Sequence, residues 1–551
     1  MTHADPLAGS PAPWWRGAVL YQVYPRAFQD SDGDGIGDLA GLAQRLPYIA
    51  SLGVDGVWIS PFFPSPMRDF GYDVSDYCGV DPRFGTLADF DHVVARAHAL
   101  GLKVLIDQVW SHTADDHPWF QESRASRDNP KADWYVWADA RPDGSPPNNW
   151  LSWMGGPAWR WEPRRRQYHL HNFLPQMPDL NFHCEAVQQA VLAVARFWLD
   201  RGVDGFRLDT ANLYAHDPQL RDNPPLPPEQ RGDSPVLMQR HAFTMDQPES
   251  LAFLRRLRAE MDRYPGRMAV GEIGGSDALA TMQAYTAGDS ALQTAYSFAF
   301  LGARPDAATV ARQLAPWSEA SGWPSWAFSN HDAPRVASRW GQGGGGSFAF
   351  GGRQAHGAAH GAGPLTWMAL LMALRGTVFV YQGEELGLPQ ADVPFERMQD
   401  PFGLAHWPLV PGRDGCRTPM PWQAGAPQAG FTTGEPWLPV EPAHLALAVD
   451  RQEADPASLL HQTRALIALR RTHDALRTGE CEVLAAEGDV LVLRRGAGRQ
   501  ALTAVFNLGP GAAPWPARIA VDASPLWSTE PMPTPGAPLA GGAAAFFRSI
   551  P

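Results

Sequence analysis

The chain has 551 residues, of which 44% are hydrophobic and 19% are charged, and its formal net charge is −13. This length exceeds one average domain, so we expect two or three domains, one of them a large barrel. The negative charge argues against a nucleic-acid partner, which requires a basic face, and it suits a neutral substrate.

Cellular location is predicted from three features. The most apolar run, TWMALLMAL at 366–374, is too short to span a bilayer. The four cysteines are scattered and form no CxxC pair, which argues against a zinc site or a disulfide framework. The N-terminal segment MTHADPLAGSPAPWW lacks a basic region followed by an apolar core, so no signal peptide is evident. We therefore expect a cytoplasmic protein with no membrane partner.

The first part of the chain alternates apolar runs typical of strands with amphipathic runs typical of helices. In chain order, strands are predicted at 19–28, 54–60 and 103–109, and helices are predicted at 39–53 and 86–101. Strand–helix alternation of this kind indicates a parallel sheet with crossover helices.

The alternation stops at 111–179, a segment rich in Trp, Pro, Asn and Arg without a helical period. A loop of that length inside a compact domain indicates a small domain inserted after the third strand. Alternation resumes with a helix at 185–202 and five further strands, at 203–211, 268–274, 294–300, 325–332 and 376–385. Eight strands separated by helices are the count of a (β/α)₈ or TIM barrel.

The tail after a predicted helix at 456–473 consists of short alternating runs such as CEVLAAEGDVLVLRR and ALTAVFNLG, which predict strands. We therefore predict an α/β fold with a (β/α)₈ barrel at 1–110 and 180–475, an inserted subdomain at 111–179 and a C-terminal all-β sandwich at 476–551. The composition of the glycine-rich segment 341–363 fits a mobile loop over the pocket as well as a disordered insertion.

Several predicted barrel strands end on polar residues, which are Asp107 and His112 (third), Arg207 and Asp209 (fourth), Glu272 (fifth), and His331 and Asp332 (seventh). In such a barrel the C-terminal ends of the strands face one pocket. This set can supply a nucleophile, a general acid and a charge stabiliser, which are the groups that glycosidic bond cleavage requires.

Four segments, DQVWSH, GFRLDT, VGEIG and FSNHD, resemble in the correct order the signature regions of the α-amylase family, glycoside hydrolase family 13. Three more, QVYPRAFQDSDGDGIGDL, MPDLN and RDGCRTPMPW, resemble its branch of oligo-1,6-glucosidases and α-glucosidases. The resemblance covers essentially the whole chain and implies the barrel, the inserted domain and the C-terminal β-domain.

By position, the resemblance implies that Asp209 is the nucleophile, Glu272 the acid/base and Asp332 the stabiliser of the transition state. Arg207, two residues before Asp209 on the same face of the strand, should favour the charged form of that carboxylate. Glu272 has to start protonated, and neighbouring carboxylates raise its pKa as required. Family members retain anomeric configuration, which implies a nucleophile–acid separation of about 5 Å and a covalent glucosyl-enzyme intermediate.

The resemblance also implies a closed grip on one terminal glucose. Asp69 would bind hydroxyl groups, Tyr72 would stack on the sugar ring, and Arg413 would pair with Asp69 and close the far side of the pocket. His112 and His331 would hydrogen-bond further hydroxyl groups. A pocket closed at one end makes the enzyme exo-acting, so that it removes one glucose at a time.

Linkage preference depends on Thr210, the residue after the implied nucleophile. In this branch Val accompanies activity on α-1,6 bonds, whereas Thr or Ala accompanies activity on α-1,4 bonds, so we predict maltose and short α-1,4-glucosides as substrates. Ser111 stands where many family members have an Asn that binds calcium in true α-amylases. Because the covalent intermediate can pass to a sugar or an alcohol, we also expect α-glucosyl transfer.

Two groups of alternatives remain open. Oligo-1,6-glucosidases, sucrose isomerases or hydrolases, and trehalose synthases share the catalytic set and differ in the acceptor subsite. Non-catalytic transporter-associated binding subunits also belong to the family, but they tend to lose the catalytic carboxylates and to carry a membrane helix, whereas this chain keeps all three acids.

The stretch DSDGDGIGDL at 30–39 begins like an EF-hand loop, but the twelfth position is Gly41 instead of Glu. In the α-glucosidase branch, a matching loop holds one divalent cation through the carbonyl of Ile36 and the side chains of Asp30, Asp32, Asp34 and Asp38. We expect one structural Ca²⁺ or Mg²⁺ ion away from the catalytic acids, and no organic cofactor.

Overall fold

The computed structural model describes residues 12–232, 235–275, 277–302, 304–317, 322–340, 362–517 and 519–550. The glycine-rich segment at 341–363 lies outside the described residues except for its last two positions.

Sixteen strands of the described chain form three sheets and are numbered in chain order: β1 (Val19–Val23), β2 (Gly56–Ile59), β3 (Lys103–Gln108), β4 (Trp137–Ala138), β5 (Trp159–Glu162), β6 (Gln167–Leu170), β7 (Gly205–Leu208), β8 (Met268–Ile273), β9 (Thr294–Ser297), β10 (Ser325–Ala327), β11 (Thr377–Tyr381), β12 (Cys481–Glu487), β13 (Val490–Arg495), β14 (Leu502–Asn507), β15 (Trp527–Ser528) and β16 (Ala544–Arg548).

The α-helices of the same residues are α1 (Leu39–Ser51), α2 (Leu87–Ala99), α3 (Pro118–Ser123), α4 (Glu185–Asp200), α5 (Pro248–Met261), α6 (Ala278–Thr286), α7 (Ala307–Leu314), α8 (Val336–Arg339), α9 (Pro364–Ala373), α10 (Pro401–His406), α11 (Val449–Glu453), α12 (Leu459–Thr472) and α13 (Asp474–Arg477). Within the described residues, no helix is both long and apolar enough to cross a membrane.

The largest sheet is a nearly closed parallel barrel with the strand order β10-β11-β1-β2-β3-β7-β8-β9. Its two edges approach each other where Ala295 forms a parallel bridge with Pro324. Apolar side chains cover both faces of the strands: Leu20 and Leu105 belong to one buried cluster, whereas Val19 belongs to another that includes residues of the surrounding helices. The predicted (β/α)₈ fold class is thereby confirmed, while the predicted domain boundaries stay predictions.

Each barrel strand lies within its predicted run but ends earlier. The fourth barrel strand, β7, stops at Leu208 and not at 211, and the eighth, β11, stops at Tyr381 and not at 385. Asp209, His331 and Asp332 therefore lie just beyond the strands, whereas Asp107, Arg207 and Glu272 lie within β3, β7 and β8 near the same end. Their side chains are thus able to converge over one end of the barrel.

The small sheet β4-β6-β5 is inserted between β3 and β7 and is antiparallel. Its core includes Trp150 and Trp159, whose rings stack with centroids 5.8 Å apart. A further tryptophan, Trp153, stacks on His241 from the long loop after β7, with 4.7 Å between ring centroids. The insert and that loop therefore form one continuous wall beside the open end of the barrel.

The C-terminal sheet is antiparallel in the order β12-β13-β14-β16-β15. Alternate residues of its strands point to opposite faces, so Leu491 and Phe506 join the main core, whereas Val490 and Val505 join a separate cluster. The all-β character predicted for the tail is confirmed.

Candidate active site

A cavity of about 800 Å³ opens at the C-terminal end of the barrel. Eight of the predicted functional residues line it: Asp69, Tyr72, His112, Asp209, Thr210, Glu272, Asp332 and Arg413. Arg207 and His331 are fully buried and do not line the cavity. Arg207 is hydrogen-bonded to Asp209, and the ring of His331 stacks on Tyr72; both of these partners line the cavity.

Arg207 lies fully buried between three carboxyl groups. Its Nη1 donates to Asp107 Oδ1 at 2.8 Å and to Asp209 Oδ1 at 2.6 Å, and its Nη2 donates to Glu272 Oε1. The Tyr296 hydroxyl also donates to Glu272 Oε1, at 3.0 Å. One guanidinium group therefore holds the side chains of Asp209 and Glu272 next to each other.

The acid–base properties of this group follow from its burial. Burial, together with the nearby Asp209 carboxylate and against the opposing charge of Arg207, raises the pKa of Glu272 to about 7. Burial also raises the pKa of Asp209, although the positive charge of Arg207 opposes this shift. Arg207 lowers the pKa of Asp209 and so favours its charged form, but the prediction from sequence omitted the larger effect, which is the removal of water from that carboxyl group. The two side chains are therefore expected to share one proton near neutral pH.

Asp332 has the opposite electrostatic environment. Its Oδ1 accepts hydrogen bonds from Arg417 Nη2 at 2.8 Å and from Arg413 Nη1 at 3.2 Å. Burial by itself would raise the pKa of Asp332, but neighbouring positive charge holds it well below its usual range. Because burial lowers the pKa of His331 to about 3, that ring is neutral at pH 7, and the stabilising charge comes from the two arginines. Asp332 is therefore ionised at neutral pH.

His331 is held as a neutral hydrogen-bond donor. Its ring stacks between Tyr24 and Tyr72, with centroid separations of 5.8 and 5.0 Å. Gln22 Nε2 lies 2.9 Å from Nδ1 and donates to it, which leaves the proton of the neutral ring on Nε2. Nε2 lies 3.2 Å from Asp332 Oδ2 and has no hydrogen-bond partner among the described residues. Because this nitrogen is buried and His331 does not line the cavity, the sugar-binding role of His331 stays a prediction.

His112, by contrast, has protein partners on both ring nitrogens. Its Nε2 donates to the carbonyl of Tyr72 at 2.9 Å, and its Nδ1 lies 2.8 Å from Ser111 Oγ. A sugar hydroxyl would have to share one of these contacts. The sugar-binding role of His112 stays a prediction.

Arg413 lies in the cavity wall and pairs with Asp69. Its Nη2 donates to Asp69 Oδ1 at 2.5 Å and to Asp400 Oδ1 at 2.7 Å, and its backbone N–H donates to Asp400 Oδ2 at 2.7 Å. Asp400 therefore anchors Arg413 so that its guanidinium group reaches Asp69. Tyr72 also lines the cavity, and its hydroxyl donates to Asp107 Oδ2 at 3.0 Å.

Thr210 has an unusual backbone conformation for a β-branched residue, with φ of 43°. Its N–H donates to Glu272 Oε2 at 3.2 Å, and its hydroxyl oxygen lies 3.0 Å from Ser111 Oγ. Such left-handed conformations persist only where surrounding contacts hold them. These contacts place Thr210 next to the carboxyl groups of both Asp209 and Glu272.

The part of the cavity wall that comes from the insert and from the loops after β7 and β9 carries several apolar residues among polar ones such as Gln239, Arg240 and His241. Its apolar residues include Trp153, Met154, Leu226, Leu237, Met245 and Phe298. A cavity that combines apolar and aromatic wall residues with a few converging polar groups is the common design of a small-molecule site.

Four residues hydrogen-bond directly to the side chains of the site but were given no individual role from sequence: Asp107, Tyr296, Asp400 and Arg417. Asp107 and Arg417 stand inside quoted motifs, DQVWSH and RDGCRTPMPW, so their positions offered a signal. Tyr296 and Asp400 offered none, because each is defined by a partner distant in sequence, Glu272 and Arg413 respectively.

The acidic loop after β1 contains a group of three carboxylates. Oxygen atoms of Asp30, Asp32 and Asp38 lie within 4.8 Å of one another. Asp34 is not part of this group, and its Oδ1 accepts a hydrogen bond from the backbone N–H of Ile36 at 2.7 Å. The donor set consists of oxygen atoms alone and fits a hard divalent cation such as Ca²⁺ or Mg²⁺.

The chain is similar to known proteins over most of its length. The model of the α-amylase catalytic domain matches residues 22–479. A probable α-glucosidase of Rhizobium meliloti (strain 1021) is 53% identical over 512 residues, which cover 91% of this chain and 90% of that protein. An oligo-1,6-glucosidase of Heyndrickxia coagulans is 37% identical, with 86% of this chain and 87% of that protein covered.

Solved structures show the same architecture over nearly the full chain. An α-glucosyl transfer enzyme, 50% identical, superposes with a TM-score of 0.90 over 98% of this chain and 100% of that chain. The trehalulose synthase of Pseudomonas mesoacidophila MX-45, 30% identical, superposes with a TM-score of 0.86 over the same shares. The chain therefore belongs to the α-amylase family, glycoside hydrolase family 13, within its branch of α-glucosidases and oligo-1,6-glucosidases.

Proposed function

We propose that this glycoside hydrolase is a retaining, exo-acting α-glucosidase that releases α-glucose from the non-reducing end of maltose and short α-1,4-glucosides. The observation that carries the proposal is the guanidinium group of Arg207, which holds Asp209 and Glu272 side by side in the cavity. Retaining glycosidases need a nucleophile and an acid at such close range, about 5 Å apart.

In the first step, Asp209 Oδ2 attacks the anomeric carbon while Glu272 transfers its proton to the glycosidic oxygen, which leaves with the aglycone. The electron pair of the broken C–O bond stays on that oxygen, and a β-glucosyl ester forms on Asp209. Asp332, held ionised by Arg413 and Arg417, binds sugar hydroxyls as positive charge develops on the ring.

In the second step, the Glu272 carboxylate accepts a proton from water or from an acceptor hydroxyl, whose oxygen attacks the same carbon and displaces Asp209. Two inversions restore the α configuration. The shared proton of the resting pair belongs on Glu272 in this cycle, because Asp209 has to be charged when it attacks.

Exo-action is supported by the ion pair of Arg413 with Asp69 in the cavity wall, which would block the cavity on one side. A chain end would enter only from the open side, so one glucose would fill the space next to the acids. Preference for α-1,4 bonds is supported by the hydroxyl side chain of Thr210, which lies at the cavity surface beside both central carboxyl groups.

Transfer to sugar or alcohol acceptors is supported by apolar residues of the cavity wall such as Trp153, Leu237 and Phe298. Such a wall favours the carbon surface of an organic acceptor over water. The similar enzyme described as an α-glucosyl transfer enzyme gives further support.

We also propose a structural divalent cation in the loop after β1, held by Asp30, Asp32 and Asp38. Asp34 and the Ile36 carbonyl are further ligands only by the resemblance to the α-glucosidase branch. The ion would neutralise the carboxylates and stabilise the entry to α1, whose first turn is capped by Asp38. No step of the reaction passes through it.

A product profile by proton NMR on maltose, isomaltose, sucrose and trehalose tests the proposal. We expect maltose to react fastest, α-glucose to appear before its mutarotation, and new α-glucosides to accumulate at high substrate concentration. Initial release of β-glucose would overturn the retaining mechanism. Preferred cleavage of isomaltose, or isomerisation of sucrose or maltose without net glucose release, would favour an oligo-1,6-glucosidase, a sucrose isomerase or a trehalose synthase instead.

A further inference from the structure

A chain of short polar contacts joins the loop after β3 to the proposed nucleophile. Tyr72 O is 2.9 Å from His112 Nε2, and His112 Nδ1 is 2.8 Å from Ser111 Oγ. Ser111 Oγ is in turn 3.0 Å from Thr210 Oγ1, which is 3.4 Å from Asp209 Oδ2. Ser111 and His112 are each 1% exposed, so bulk water does not compete for these contacts.

The directions of the hydrogen bonds in this chain can be derived from one end. A carbonyl oxygen only accepts, so His112 Nε2 carries a hydrogen. Burial lowers the pKa of His112 to about 4, which makes the ring neutral at pH 7 and its Nδ1 an acceptor. Ser111 must therefore donate its single hydroxyl hydrogen to Nδ1. The contact between Ser111 and Thr210 then requires the hydrogen of Thr210.

The consequence concerns the nucleophilic oxygen. Thr210 has one hydroxyl hydrogen, and the contact with Ser111 uses it, so this hydrogen points away from Asp209. No other residue in the described part of the chain donates to Asp209 Oδ2, whereas Oδ1 accepts from Arg207 at 2.6 Å. Oδ2 keeps its lone pairs free for attack, and Oδ1 is held in place.

We propose that Ser111 is a positioning residue whose hydroxyl group accepts the hydrogen of Thr210 and thereby keeps that hydrogen off the attacking oxygen of Asp209. The proposal rests on the proposed function, because it requires Asp209 to be the nucleophile. Ser111 of the segment DQVWSH and Thr210 of the segment GFRLDT thereby share one role, which is to keep this hydrogen away from Asp209.

Removal of the Ser111 hydroxyl should let Thr210 turn its hydrogen to Asp209 Oδ2. The carboxylate would then be stabilised in its resting form, attack would be slower, and the acidic limb of the pH profile would move to lower pH. We expect Ser111→Ala to lower kcat for p-nitrophenyl α-glucoside about tenfold, because the added hydrogen bond to a charged group has to be broken on attack. KM should change much less than kcat.

The test is a double-mutant cycle of Ser111→Ala and Thr210→Val, with Ser111→Thr as the conservative variant. Thr210→Val has no hydroxyl to turn, so addition of Ser111→Ala to it should change kcat less than about twofold and leave the acidic limb in place. Ser111→Thr should restore most of the wild-type rate. Melting temperatures of all variants separate these effects from unfolding, and Ser111→Cys replaces Ser111→Ala in the cycle if the alanine variant does not fold.

If Ser111→Ala lowers kcat by the same factor in the wild-type enzyme and in Thr210→Val, the proposal is overturned. Equal factors would reflect a packing role of Ser111 that is independent of Thr210. An unchanged rate in Ser111→Ala would overturn it as well. Asp209→Asn measured in parallel separates the two levels of inference. If that variant keeps its turnover, the proposed function fails; if it loses turnover while the cycle is additive, only the role of Ser111 fails.

Discussion

Tyr296 offers a direct test of which carboxyl group acts as the acid. Its hydroxyl donates to Glu272 Oε1 at 3.0 Å, and this hydrogen bond favours the carboxylate form of Glu272. Tyr296→Phe removes the donor without changing the ring that packs inside the barrel. The pKa of Glu272, raised to about 7 by burial, should therefore rise further in the variant.

The size of the shift follows from the contacts of that oxygen. A hydrogen bond to a charged group contributes ~1.5 to 3 kcal/mol, which corresponds to a pKa change of ~1 to 2. We expect the lower end, because Arg207 Nη2 also donates to Glu272 Oε1 and remains in the variant. Glu272 has to be protonated to act as the acid, so activity is lost as pH rises through its pKa. The alkaline limb should then move from near pH 7 to about pH 8.

The assay measures kcat/KM for p-nitrophenyl α-glucoside between pH 4 and 10, about the range in which both limbs of a bell-shaped pH profile are expected. Tyr135→Phe is a matched control, since Tyr135 is a buried tyrosine whose hydroxyl contacts Thr113 and not a carboxylate. The control should keep the wild-type alkaline limb. An alkaline limb that stays in place, or moves to lower pH, in Tyr296→Phe would refute the assignment of that limb to Glu272.

Four further predictions concern the same site and the acidic loop. Asp209→Asn should lower p-nitrophenyl α-glucoside hydrolysis by several orders of magnitude, and near-normal turnover would contradict its role as nucleophile. Thr210→Val should raise the isomaltose-to-maltose ratio of kcat/KM, and an unchanged ratio would mean that linkage preference lies elsewhere. Asp400→Asn should lower kcat/KM for maltose about tenfold, because Arg413 loses its anchor. Circular dichroism checks that the variant is folded, and a wild-type kcat/KM would show that Arg413 needs no anchor. Chelation by EDTA should lower the melting temperature before it lowers turnover at 25 °C, whereas immediate loss of turnover with an intact fold would contradict a purely structural cation.

The sequence alone predicted the barrel because its signals are local. Apolar runs of four to eight residues predicted strands such as β3 and β8, and amphipathic runs predicted helices such as α1 and α4. The same holds for Asp209 and Glu272, which follow or end strands and so had to face the open end of the barrel.

The tertiary structure alone decided how these residues are paired and protonated. Arg413 and Asp400 are 13 residues apart, and Glu272 and Tyr296 are 24 apart, so neither contact follows from periodicity. The pKa of Asp209 is decided in the same way, since burial by the surrounding loops outweighs the charge of its neighbour Arg207. Ser111 shows the difference most clearly: its residue type was evident in DQVWSH, but the direction of its hydrogen bonds depends on His112 and on Thr210, which lies 99 residues further along the chain. Local patterns encode elements of secondary structure, whereas hydrogen-bond direction and burial depend on groups that only folding brings together.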